Sequence, residues 1–132
     1  MEKIRKSIAK TPMDLIVILV IAALYLLNNN IFKQNTTGIL REFFICYFND
    51  LMAPMFLLAY SNILLGTKGK RLCNIKHILP FCLCAGCIWE FLAPIIKQGS
   101  VTDPCDIIAY LFGGIIYWII EKKRAKKDDF GT

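Results

Sequence analysis

Four acidic residues, Asp50, Glu90, Asp103 and Asp106, carry the chemistry this sequence could perform, because each sits within or at the edge of a strongly apolar stretch. A carboxyl in such surroundings can hold a proton, pair with a base or bind a cation. Asn49 and Tyr110 lie close to them in the sequence and add an amide and a phenol. Asp106, Tyr110 and the pair Gly113 and Gly114 recur at helical spacing, so one helix face would carry an acid, a hydroxyl and two small residues.

The elements that must position these groups are hydrophobic runs. The chain has 132 residues and is 56% hydrophobic, above the roughly 45–50% of soluble domains. One domain of this size has no soluble core large enough for that much apolar surface, and the expectation is an all-α bundle of four transmembrane helices. The runs predict helices over about 13–32, 43–65, 75–96 and 104–120, followed by a basic, solvated tail over 121–132. Each reaches the ~17–25 residues that a spanning helix needs. The first does so only if Asn28 to Asn30 lie at the interface, and the second carries Asn49, Asp50 and Pro54 inside it. Pro12 and Asp14 suit the start of the first helix. The opening "MEKIRKSIAK" before an apolar run has the look of a signal peptide, but no small-residue cleavage site follows Leu27, so a retained helix is expected.

Basic residues set the orientation. Thirteen of the sixteen Lys and Arg lie in the N-terminal tail, the loop between helices 2 and 3 (Lys68, Lys70, Arg71, Lys76) or the C-terminal tail. Only Lys33, Arg41 and Lys97 lie on the other side. Both termini and the middle loop are therefore expected in the cytoplasm, in a multi-pass protein of the cytoplasmic membrane. The net charge of +6 is accounted for by basic segments beside anionic lipid and requires no nucleic acid. "GTKGKR" reads as a topology-setting loop rather than a phosphate cradle. The six cysteines include "CLCAGC" inside helix 3, where cysteine is a small apolar residue that lets helices approach. Cys46 and Cys105 both fall toward the outer face and could be neighbours. Trp89, Trp118, Tyr117 and Tyr47 read as interface or packing aromatics. His77 lies too near the cytoplasmic end to serve the acids.

Counted at 1.5 Å per residue, Asp50 and Glu90 each lie roughly 10 Å below the outer surface. Asp106 falls in the first turn of helix 4, with Asp103 just before it. An acid within a spanning segment costs about 2.5–3.5 kcal/mol or more on insertion scales and commonly faces the bundle interior. Three states remain open for these carboxyls: protonated, paired with Arg41 or Lys97, or holding a hard cation such as Mg²⁺ or Ca²⁺. Asp103 followed by Pro104 is also a good N-cap with proline at the first helical position. Asp106 three residues on suits the helix dipole. Glu90 has no such structural explanation, since it lies well inside the apolar run.

The segment "WEFLAPIIKQGSVTDPCDIIAYLFGG", residues 89–114, resembles the VanZ-like membrane family, named after a teicoplanin-resistance protein. That family carries a glutamate, an arginine, two aspartates, an asparagine and a glycine at similar spacing. The resemblance places Glu90, Asp103, Asp106 and Gly113 at four of these positions. Ser100 stands where the arginine is expected and Tyr110 where the asparagine is expected, leaving the group more acidic than the family pattern. The resemblance implies a small helical envelope protein with no shared chemistry assigned to it.

The expected site is an acidic pocket near the outer face, built from Glu90, Asp106, Asp103, Asp50, Asn49 and Tyr110. It would bind a polar or cationic ligand or a lipid-linked envelope component. The alternatives are a small oligomeric proton- or cation-coupled transporter or channel, and a helix-packing subunit of a larger membrane complex supported by Gly113, Gly114 and the helix 3 cysteines. A lipid-directed enzyme is disfavoured, because no histidine lies among the acids and no serine or cysteine stands beside a base. Membrane lipids are the expected partners, with a homo-oligomer or a larger membrane complex as the protein assemblies open to the chain.

Overall fold

The computed structural model describes residues 1, 2, 5, 9, 11–99 and 103–130. Lys3, Lys6 and Lys10 of the basic N-terminal segment, and Ser100 at the expected arginine position, lie outside the described residues. Four helical rods make up the rest, with no strand among the described residues. Rod α1 runs Thr11–Leu27 and continues through a π-helical turn, Asn28–Phe32, and a last turn, Lys33–Asn35. Rod α2 opens with Ile39–Glu42, passes a second π-helical turn, Phe43–Tyr47, and continues as Phe48–Gly66. Rod α3 is Ile75–Ile96 and rod α4 is Pro104–Phe130. All four are long and apolar enough to cross a membrane. Helices satisfy this requirement because every backbone N–H and C=O finds its partner within the segment, where lipid offers none.

Two boundaries differ from the sequence expectation. The asparagines after Leu27 continue α1, as the expected 13–32 span has it, and the helix runs on to Asn35. Asn28 is fully buried, and its Nδ2 donates to Phe44 O at 3.0 Å and to Asn49 Oδ1 at 3.0 Å. The Nδ2 of this residue is thus held by α2, although its Oδ1 has no partner among the described residues, and Phe32 stacks on Phe44 with ring centroids 5.1 Å apart. The connection from α1 to α2 is residues 36–38, turning at Gly38 with φ 68°. The basic tail after Ile120 is also helical through Phe130, because Glu121 and Arg124 are held by partners from other segments.

Helix α2 and helix α4 form the central pair; α1 packs on α2, and α3 packs on α4. Glycine makes the closest approaches possible. A Cβ on Gly113 would run into Leu51 O and lie 2.5 Å from Pro54 Cγ of α2, and one on Gly114 would lie 2.6 Å from Cys82 Sγ of α3. The core beside these contacts consists of Ile21, Met55, Leu58, Ala59, Ile78 and Cys82 with Tyr117. Large side chains such as Leu19, Ile88, Phe91 and Ile108 point outward on the spans, as expected of a surface bathed in lipid rather than water.

Candidate functional site

The bundle holds polar groups at both ends. At the end away from the termini, Asp50 comes from α2, Glu90 from α3 and Asp106 from α4. The Asp106 side chain lies against both Asp50 and Glu90, and Tyr110, one turn further along α4, interacts with all three. The crossing geometry explains the meeting. Gly113 draws α4 onto α2 at Leu51 and Pro54, and Gly86 of α3 faces the Tyr110 ring at 3.4 Å from where a Cβ would stand. These two close contacts bring neighbouring acids of three helices to one place. Three carboxyls brought together from three helices are suited to meeting a cationic group. No ion pair joins Lys33, Arg41 or Lys97 to these acids among the described residues, so the paired state considered from the sequence is not formed. Nor does any group of three His, Cys, Asp or Glu among the described residues have a metal-holding arrangement.

Asp103 is set apart from this trio. Its Oδ1 accepts from Cys105 N at 2.9 Å and its carbonyl from Asp106 N at 3.0 Å, which makes it the N-cap of α4. Tyr47 donates to Oδ2 at 3.4 Å. The Cys105 N–H, helped by the Cys105 side chain and the Tyr47 hydroxyl, holds this carboxyl below its usual range against a smaller opposing effect of burial. Its role is therefore to start the helix that presents Asp106. Asn49 is likewise engaged, accepting from Asn28. Cys46 and Cys105, considered as neighbours, are exposed free thiols.

Asn49, Asp50 and Tyr110 also line an open groove of about 810 Å³ between α1 and α3, whose other walls are mainly apolar. That volume falls in the ~300–1,000 Å³ range of ligand pockets. Glu90 and Asp106 do not line it; they stand behind Asp50.

At the terminal end lies a second polar centre. Asp14, fully buried, accepts from Arg71 Nη1 and Nη2 at 2.9 and 3.1 Å, from Arg124 Nη1 at 3.2 Å and from the Tyr117 hydroxyl at 3.3 Å. Glu121, only 3% exposed, accepts from Arg71 at 3.2 Å and from Arg124 at 2.6 Å. Buried Asn62 completes the network. It donates to Tyr117 Oη at 2.7 Å and grips the Leu72 backbone through both its amide groups, at 2.6 and 3.2 Å. Burial opposes the charge on Arg71, but its bonds to Asp14, with the nearby Glu121 charge, outweigh that and raise its pKa above the ordinary guanidinium value. Two acids and two arginines balance, which is the condition under which buried charges are tolerated.

None of this network was singled out from the sequence. Asp14 reads there as an N-terminal helix acid, Arg71 as an orientation signal, Tyr117 as a packing aromatic and Arg124 as part of a solvated tail. The available signal was that Asp14 and Glu121 are the acids flanking the spans at the end that also collects the arginines. The network joins α1, α2, the 67–74 connection and α4, which brings the start of α1, that connection and the later turns of α4 to one end of the bundle. No family profile, curated protein or solved structure matches the chain.

Proposed function

We propose that this chain is a VanZ-like integral protein of the cytoplasmic membrane, with both termini cytoplasmic, that binds a cationic or polar group of an envelope component. The binding centre is Asp50, Glu90 and Asp106 near the outer face. One observation carries this reading: three carboxyl side chains from three helices meet inside a span-forming bundle with no Lys, Arg or His paired to them among the described residues. Acids placed there for stability alone would be expected to have a basic partner, as Asp14 and Glu121 have at the other end. The orientation rests on the basic segments grouped at the terminal end.

The test combines topology and function. In intact cells a membrane-impermeant maleimide should label exposed Cys105 but not exposed Cys73. In a strain lacking the gene, the wild-type chain should restore tolerance to envelope-active compounds, and Glu90→Gln or Asp106→Asn, present at equal level, should not. Full restoration by both variants would remove the carboxyl cluster from the function.

A further inference from the structure

The groove supplies what the carboxyl cluster does not, namely a direction of approach and a shape. It is walled by Ile21 and Leu26 of α1 and floored by Met52, Phe56 and Leu57 of α2, all within the segments apolar enough to cross a membrane. Its mouth therefore faces hydrocarbon, and a ligand reaches it from the bilayer rather than from water. Its polar groups gather at Asn49, Asp50 and Tyr110, and no Lys, Arg or His lines it. From Asp50 to Leu57 the apolar floor extends seven residues along α2, roughly 10 Å at the helical rise.

Tyr110 adds a second polar group to the groove wall. It is 5% exposed, and its hydroxyl makes no hydrogen bond with any described residue. The hydroxyl oxygen is not among the fully buried unpartnered atoms, so it stays accessible to a ligand atom that would complete its hydrogen bonding. The rings of Tyr25, Trp89 and Tyr110 around the groove also suit an ammonium group, which is attracted to aromatic faces.

We propose that the groove binds a cationic amphiphile: an alkyl chain lying along Met52, Phe56 and Leu57, with its protonated amine at Asp50 and further acceptors in Asn49 Oδ1 and the Tyr110 hydroxyl. This rests on the reading of the carboxyl cluster as a ligand site and names the ligand class. An anionic head would meet a carboxyl, an amide and a phenol there, with no Lys, Arg or His in the lining to pair with. A hydroxyl head offers a single donor, whereas an ammonium can donate to Asp50, Asn49 Oδ1 and the Tyr110 hydroxyl together.

Trp89 lines the groove and serves as the reporter. The full chain carrying Trp118→Phe is placed in phosphatidylcholine nanodiscs, and Trp89 emission is titrated with dodecylammonium, dodecanol, dodecyl sulfate and methylammonium. Dodecylammonium is expected to saturate the signal at a concentration about tenfold or more below that of the other three, the margin of one charge-assisted hydrogen bond. Asp50→Asn should erase the preference over dodecanol. Ala53→Phe, which narrows the groove wall, should weaken dodecylammonium and dodecanol alike. Equal binding of methylammonium and dodecylammonium would overturn the groove proposal and leave the carboxyl cluster as a ligand site. No ammonium preference over dodecanol or sulfate would overturn both. The comparison of the four compounds on the chain with native Asp50 decides the matter even where a groove variant does not fold.

Discussion

Replacing Asp14 by Asn keeps the shape of the side chain and removes one charge from the balanced network. Arg71 and Arg124, with side chains 10% and 12% exposed, would then share Glu121 alone, leaving one buried positive charge uncompensated. Breaking one side of a buried ion pair costs about 3–5 kcal/mol, and the low exposure leaves little water to screen it. At about 1.4 kcal/mol per factor of ten, the folded-to-unfolded ratio falls by roughly two to three and a half orders of magnitude. Equilibrium unfolding in mixed micelles of increasing SDS fraction, followed by Trp fluorescence and helicity, measures this. Adding Arg124→Gln restores the balance, so the double variant should be less destabilised than the two single losses combined, with a coupling of about 0.5–3 kcal/mol. A loss below about 1 kcal/mol for Asp14→Asn, or strict additivity of the pair, would refute the view that charge balance holds this end together.

The remaining expectations concern helix contacts and the α4 cap. Gly113→Ala would drive a methyl into the rigid Leu51 carbonyl and Pro54 ring, whereas Gly86→Ala meets only the Tyr110 ring at 3.4 Å. The first should lose about 1–3 kcal/mol or more in the same unfolding assay and the second clearly less; equal losses would contradict the close α2–α4 approach. The Asp103 cap carries a sign for pH. Because its folded-state pKa is lowered, its contribution is present above the unfolded value of about 3.9 and is lost as pH falls through the lower folded value. The Cys105 amide resonance should therefore titrate with a midpoint below that of a free aspartate, and Tyr47→Phe should move the midpoint upward. A midpoint at or above the ordinary value would show that Asp103 does not cap the helix.

Composition and hydropathy alone determined that the chain forms four membrane-length helices, because lipid admits few other ways to satisfy a backbone. The α3 limits and the Asp103–Pro104 start of α4 were legible for the same kind of local reason: an apolar run ends, or a cap and proline begin one. The acids were legible as out of place in oil, and Glu90, Asp106 and Asp50 do come together. Which acid belonged to which group was decided only by tertiary structure. Asp103 and Asp106 lie three residues apart, yet one caps the helix and the other faces α2 and α3. Asn28 looked like an interface residue until Asn49 and the Phe44 carbonyl buried it. Asp14 and Glu121 lie more than a hundred residues apart and share a partner only because α1 begins, and α4 passes, beside the same Arg71. Hydrophobic pattern is a property of each segment, whereas charge pairing belongs to the way segments are brought together, so the sequence alone revealed the spans and left the partners of their buried charges to the fold.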